Sequence, residues 1–346
     1  MAYTTINKSS DHFNTVLYTG DGSASDRTIT NVGFKPDWLW NKSRSNAYNH
    51  YIFDVLRGTN MISSNATTAQ EDKSPQFSAF TSDGFTIRND AGSLAINASG
   101  VTFANWCWKA NGSGSANSDG SDSSTVSANT TAGFSIVKWT PSGGNATVGH
   151  GLGAVPEMII SFRIDGAQDR FVYHKDIGNT KYVRLNQTTA STTDANAWNN
   201  TTPTSSVFSV GSQFGGSDYI AYCFAEKKGF SKFGSYEGNG NTDGLFIYTG
   251  FKPAFVMIKS YNTASRFWTI QDNKRSSSGG PNPNDKWLYA NTNDAEVDQA
   301  SNPMDFLSNG FKLRNNGAYQ NSNAYIYMAF AEAPLVGSNN VPCTAR

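Results

Sequence analysis

The chain has 346 residues, 27 Lys plus Arg against 27 Asp plus Glu, and no formal net charge. Charged residues are 16% of the total, against about 25% in typical soluble proteins. Without a basic stripe there is no counterion release to exploit, so neither nucleic acid nor an anionic membrane surface is an expected partner. Aromatic residues at 13% exclude disorder and suit a pleated, half-buried surface.

Residues 1–13 are read as an N-terminal arm, either docked on a partner or untethered. Met1 to Ser10 has no apolar core and no small-residue cleavage site, so the chain is expected to fold in the cytosol of the cell that makes it. No stretch approaches the ~18 apolar residues of a membrane span, and membrane insertion is not expected.

A first repeat occupies 14–110. It runs from Tyr18-Thr-Gly-Asp-Gly22 through Gly33-Phe-Lys-Pro-Asp-Trp-Leu-Trp40, Tyr51-Ile-Phe-Asp54 and a strand-ending Asn65. The segment Phe80-Thr-Ser-Asp-Gly-Phe-Thr-Ile-Arg-Asn89 and a strand from Phe103 to Lys109 complete it. In Gly-Phe-Lys-Pro, Pro fixes one backbone angle and Gly takes a positive one, and a buried strand follows. Residues 111–131, beginning Asn111-Gly-Ser-Gly-Ser, read as a flexible linker.

A degenerate copy follows over 132–229, with Trp139-Thr-Pro-Ser-Gly143, Gly151-Leu-Gly-Ala-Val-Pro156, Phe171-Val-Tyr-His174, Asn186, Val207-Phe-Ser-Val-Gly211 and a strand from Tyr219 to Glu226. Lys227 to Phe233 leaves no slack, so the second and third repeats are expected to dock. The third repeat, 230–337, carries Tyr236-Glu-Gly-Asn-Gly240, Gly250-Phe-Lys-Pro-Ala-Phe-Val-Met257, Trp268-Thr-Ile-Gln-Asp272 and Asn291. It ends with Phe306-Leu-Ser-Asn-Gly-Phe-Lys-Leu-Arg-Asn315 and a strand from Tyr325 to Glu332, and 338–346 is a C-terminal tail.

So many ordered matches predict three tandem copies of one unit. At roughly 100 residues each can close its own core. Turn dipeptides recur at about 8–12 residues and no three-four spacing is sustained. The expected architecture is all-β: three tandem antiparallel β-sandwich or jelly-roll domains, beads on a string, with the first hinged against a docked pair. Cys107 and Cys223 match in different repeats and read as free buried thiols; Cys343 is the third cysteine.

The search for chemistry assigns no catalytic residue, metal or cofactor. His12, His50, His150 and His174 are scattered without zinc spacing, and His150-Gly-Leu-Gly153 reads as a turn rather than a phosphate loop. Glu296-Val-Asp298 has the strand spacing of paired carboxylates but reads as a solvated loop. Asp54 with Arg57 and Asp272 with Arg275 share one repeat position, where the middle copy has His174 and Ile177, and read as turn-stabilising ion pairs. Asp21, Asp26 and Asp243 lie in Gly-rich turns where Ca2+ is conceivable, but turn chemistry accounts for them. Carbohydrate binding is left, because rings stack on sugar faces. Trp198 and Trp287, in polar stretches, are the candidate ligand-contact aromatics, with core or rim packing as the competing reading. Trp38, Trp106 and Trp108 alternate within strands and are expected in the core.

The ordered set Tyr-x-Gly-x-Gly, Gly-Phe-Lys-Pro, Ser-Asp/Asn-Gly-Phe and Tyr-Ile-x-x-x-Phe-Ala-Glu resembles a repeated, lectin-like domain of virion proteins of tailed bacteriophages, often labelled tail fibre. The likeness extends from Thr4-Thr-Ile-Asn-Lys8 to Glu332-Ala-Pro-Leu-Val-Gly337, and the middle copy departs from it at Leu152-Gly-Ala-Val-Pro156. It implies a lectin-like sandwich fold and a non-enzymatic protein on the virion surface, on the tail or the capsid exterior. Expected partners are other virion proteins and a host surface glycan or receptor, with a homotrimer as the expected assembly. The alternatives are a capsid decoration or head-fibre protein without ligand, and an enzyme degrading surface polysaccharide.

Overall fold

The computed structural model describes residues 4–89, 95–280 and 282–333. The fold is all-β and antiparallel, and each repeat builds a larger sheet and a smaller one. In the first, the larger sheet is ordered Phe13–Thr19, Thr102–Trp108, Trp38–Ser43, Tyr51–Asp54, so the repeat's first and last strands lie side by side. The second repeat uses the same order with Phe134–Trp139, Tyr219–Phe224, Met158–Arg163 and Phe171–His174, and the third with Ser231–Glu237, Ala324–Ala331, Pro253–Ser260 and Thr269–Asp272. The smaller sheets are Arg27–Ile29, Gly84–Ile87 and Phe77–Thr81; Ala146–Gly149 and Val207–Val210; and Phe246–Tyr248, Gly310–Leu313 and Met304–Leu307.

Side-chain alternation decides which face meets what. Along Thr102–Trp108, Phe103 and Cys107 join Phe77, Phe85 and Leu39 in the core between the two sheets of the first repeat. Ala104, Trp106 and Trp108 point the other way. On that side the larger sheets of all three repeats meet, in one cluster holding Trp38 and Trp108, Phe134 and Phe224, and Phe255 and Phe330. The Trp108 ring lies 4.4 Å from Trp38, 5.8 Å from Phe255, 5.6 Å from Phe330 and 6.5 Å from Phe224. Sheets covered on both faces need apolar residues at nearly every position, and Ala324–Ala331 is buried throughout.

Two motif readings hold. Gly33 and Gly250 of the Gly-Phe-Lys-Pro turns have φ of 89° and 85°, in the left-handed region. In Ser-Asp/Asn-Gly-Phe the glycine answers a close approach, since a Cβ on Gly84 or Gly310 would lie 1.8 Å or 2.1 Å from the carbonyl oxygen of Ile29 or Ile247. Cys107 and Cys223 are free and buried, as expected, and burial pushes both thiols up.

Three expectations are corrected. The repeats share a core, so they form three lobes of one body and not separate beads with a hinge. Residues 111–131 are no slack linker: Ser115–Asn117 and Ser124–Asn129 are strands that extend the second repeat's larger sheet beyond Phe134–Trp139. Ser and Thr there are strand residues with short side chains, and the chain leading in is held by the Ala110 N–H, which donates to Asp37 at 2.8 Å. The arm also docks on its own chain, with Ile6 1% exposed inside the shared cluster. The tail 338–346, with Cys343, lies outside the described residues.

Candidate functional site

Neither candidate tryptophan offers a platform. Trp198 and Trp287 are each 1% exposed. Trp198 closes a four-residue helix, Ala195–Trp198, and packs 5.5 Å from Phe214. Its polar neighbours mislead because they serve the backbone: Asp194 caps the helix by accepting from the Asn196 N–H. Trp287 lies edge-on to Tyr289 and Tyr319. Both rings are core.

The recurrent Asp–Arg position is structural and does hold a turn, with Asp54 accepting from the Leu56 N–H and Asp272 from the Lys274 N–H, and both turns lie buried in seams between lobes. Arg57 Nε lies 2.6 Å from Asp54 Oδ2 with both side chains fully buried, and the second lobe's Tyr222 hydroxyl donates to the same oxygen at 2.8 Å. Arg275 and Asp272 repeat this at 2.6 Å, and the first lobe's Trp106 indole N–H donates to Asp272 at 2.9 Å. In the middle copy, His174 takes the place of the aspartate and its Nε2 faces the Tyr327 carbonyl of the third lobe at 3.4 Å. First to second, second to third, third to first: the seams close a ring. Burial opposes the charge on Arg57, but Asp54 and Tyr222 more than offset it. Burial lowers His174 to about 4.

Glu296 is also a seam residue, contrary to the solvated-loop reading. It accepts from Arg44 and from Arg275, both at 2.8 Å, and these guanidiniums hold its carboxyl low against the opposing effect of burial. Asp298 instead pairs outward with Lys286 at 2.7 Å, so the two carboxylates serve different neighbours. A second ring of contacts starts from His50, Arg170 and Trp268. Each residue's N–H is bound by a strand-ending asparagine, Asn65, Asn186 or Asn291, at 2.8–2.9 Å. Their side chains reach Tyr289 O, Ser63 O and Arg184 O of the neighbouring lobes.

Asp21 is engaged by Asn97 and the Ser23 N–H, Asp26 lies 3.7 Å from Arg88, and Asp243 pairs with Lys312 at 2.8 Å. Among the described residues no three His, Cys, Asp or Glu side chains converge to hold a metal ion.

The exposed chemistry lies on the smaller sheet of the third lobe. Phe246 is 44% and Tyr248 62% exposed, on either side of buried Ile247. Across this face run two rows, Phe246–Lys312–Asp305 and Tyr248–Gly310–Leu307. Gly310 lets the phenyl ring lie over the sheet, since a Cβ there would meet Phe246 Cε2 and Cζ at 2.9 Å. Lys312 is fixed to Asp243 and the Gly244 carbonyl, and Arg314 to Asp305 at 2.7 Å. Phe246–Tyr248 is an edge strand whose bonds to Gly310–Leu313 are bracketed by Leu313 N–H to Leu245 O and Thr249 N–H to Asn309 O. The alternation of antiparallel pairing then turns the N–H and C=O of Phe246 and Tyr248 off the edge.

A single family model spans the three lobes and their seams. It is described as a domain of unknown function, DUF7483, and matches residues 8–334. The chain belongs to that family. No curated protein and no solved structure matches it. The match takes in the first docked strand, the 111–131 strands and the last seam together, so the DUF7483 unit coincides with the three-lobed body and not with one repeat. Within this DUF7483 chain the aromatic face is particular to one lobe. By register, Phe246 and Tyr248 correspond to Thr28 and Thr30 in the first lobe and to Thr147 and Gly149 in the second. The readable signal was Phe-Ile-Tyr where the sister repeat has Thr-Ile-Thr.

Proposed function

We propose that this protein is a non-enzymatic component of a bacteriophage virion surface, a tail fibre or similar part, that contacts host-surface glycan through the third lobe's outer sheet. The observation that carries the contact surface is the exposed Phe246–Tyr248 pair, set beside Lys312 and Asp305 on a sheet held by a shared core. Aromatic faces supply apolar area for the C–H faces of sugars, and the fixed Lys312, Asp305 and Arg314 beside them supply hydrogen-bonding groups. The virion setting rests on the resemblance carried by the Gly-Phe-Lys-Pro and Ser-Asp/Asn-Gly-Phe repeats. A homotrimer, the assembly expected of such a component, multiplies a weak site by avidity.

The test is adsorption. Purified protein is expected to coat host cells and slow phage adsorption. The double variant Phe246→Ser, Tyr248→Ser is expected to lose at least about tenfold in cell binding, roughly the loss of 1.4 kcal/mol, with an unchanged melting temperature. Wild-type protein that neither coats cells nor slows adsorption, or a double variant that binds as the wild type does, ends this reading.

A further inference from the structure

A second region departs from repeat symmetry. The lysine of Gly-Phe-Lys-Pro occurs as Lys35 and Lys252. In the third lobe Lys252 is paired at 2.8 Å with Glu332, the glutamate that ends Phe330-Ala-Glu332. The second lobe keeps this glutamate as Glu226, paired with Lys232. In the first lobe the register Trp108–Phe224–Phe330 puts Ala110 at the glutamate position. Lys35 therefore makes no ion pair among the described residues. The neighbouring carboxylate Asp37, whose charge Lys35 favours, is 3% exposed and already accepts the backbone N–H groups of Ala110 and Gly112.

Lys35 lines a cavity of about 220 Å3 with Val55, Thr59, Phe77, Phe80 and Ser113. Phe80, half-buried, gives the cavity its accessible aromatic surface, backed edge-to-face at 5.0 Å by the buried Phe77. Asp37 sets its far side by fixing the chain that carries Gly112 and Ser113. The third lobe shows what this edge accepts. Phe306, the counterpart of Phe80 by register, gives its N–H to Asn282 Oδ1 at 2.7 Å and takes Asn282 Nδ2–H on its carbonyl at 2.9 Å. Phe306 and Phe80 both sit one pair before a two-residue hairpin. That is the pair whose backbone groups point off the sheet. No side chain among the described residues does for Phe80 what Asn282 does for Phe306.

We propose that this cavity is a binding site for a single sugar ring carrying both a carboxylate and an amide, an acetamido sugar acid. The carboxylate replaces the missing glutamate on Lys35. The amide replaces the Asn282 carboxamide on the Phe80 backbone, and the ring lies against the Phe80 side chain. The volume is below the about 300–1,000 Å3 of sites for drug-sized ligands, which suits a single ring as the bound unit. Thr59 donates to Asp72 at 2.7 Å, which places acidic charge at that end and directs the ligand carboxylate to Lys35.

The site is independent of the third lobe's aromatic face, and its test uses purified full chain and soluble sugar, without phage or cells. Titration with N-acetylneuraminic acid, followed by calorimetry or ligand-observed NMR, is expected to saturate at one site per chain. Its methyl ester, lacking the charge, and neutral N-acetylglucosamine are expected to bind at least about tenfold more weakly. Lys35→Met is expected to lose at least about tenfold. Ala110→Glu, which restores the carboxylate that the other lobes carry, is expected to do the same by occupying Lys35, while Lys252→Met leaves binding unchanged. Melting temperatures separate these effects from misfolding. Absence of saturable binding, equal affinity for acid and ester, or wild-type affinity in both Lys35→Met and Ala110→Glu overturns the proposal.

Discussion

Two seams of this molecule are ionic and the third is not, although all three occupy one position in the repeat. At Asp54 and Asp272 the acceptor is a buried carboxylate, and the facing strand supplies the donor, Tyr222 or Trp106. At the second-to-third seam the register puts Met328 in the donor's place, and Met cannot donate. There the seam residue is His174, whose Nδ1 accepts the Asp176 N–H while Nε2 faces the Tyr327 carbonyl. The donor has moved from one side of the seam to the other. What the repeat preserves is donor–acceptor complementarity in a desolvated gap, because an unmatched polar group there costs more than either solution.

The largest effect is expected where the ionic seams lose a carboxylate. Asp54→Ala leaves the Arg57 guanidinium buried without its counter-charge, and breaking such a pair costs about 3–5 kcal/mol. Asp272→Ala should cost less, because Glu296 still holds Arg275 at 2.8 Å. Urea unfolding of the two variants reads the difference, expected to be at least about 1 kcal/mol, the scale of one charge-assisted hydrogen bond. Equal losses would show that Glu296 does not act as a second anchor.

The imidazole seam should instead reveal itself through pH. Burial lowers His174 to about 4 in the folded chain, while an unfolded histidine titrates near 6.5. Between those values the unfolded chain binds a proton that the folded chain refuses, so stability falls as pH drops from 6.5 to 4. About 2.5 pH units at about 1.4 kcal/mol each gives a loss of about 3–4 kcal/mol from this residue. His50 adds a slope of the same sign, since burial also lowers it well below its usual value. His174→Gln should flatten the wild-type slope by its own share while leaving that of His50. An unchanged slope between pH 7 and 4.5 in this variant would remove the seam's pH dependence.

The repeats, the strand content and the turn glycines were legible because they are local: alternation, turn dipeptides and a positive φ are written in consecutive residues. The shared core was not. Trp38, Trp106 and Trp108 read as core, but whether an apolar face meets its own smaller sheet or another repeat's larger one depends on where 100-residue units fall in space. The 111–131 segment failed for a related reason, since Gly and Ser describe flexibility only when no sheet edge is on offer. Trp198 and Trp287 stand in polar stretches that leave burial and exposure both open in the sequence, because an Asp or Asn can face solvent or, as Asp194 does, bind backbone. The aromatic face and the unpaired Lys35 could have been found by comparing repeats residue by residue, at Phe246 against Thr28 and Ala110 against Glu332.

The smallest effects should come from a feature the three lobes share, the strand-ending asparagines, where one hydrogen bond to a strand N–H is at stake in each. Asn65, Asn186 and Asn291 accept the N–H of His50, Arg170 and Trp268. Replacement by Ala should cost about 1 kcal/mol at each. Replacement by Asp, which keeps an acceptor oxygen, should separate them. Asn186 also donates its Nδ2 to Asp169 Oδ1 at 2.8 Å, so Asn186→Asp sets two carboxylates against each other and should recover nothing. Asn65 donates to the neutral Asn49 at 2.8 Å, and Asn49 can present its amide nitrogen instead by flipping. Asn65→Asp should therefore recover most of the lost stability in thermal unfolding at pH 7. If neither aspartate recovers any of the stability lost on replacement by Ala, the hydrogen bond to the strand N–H is not what their repetition preserves.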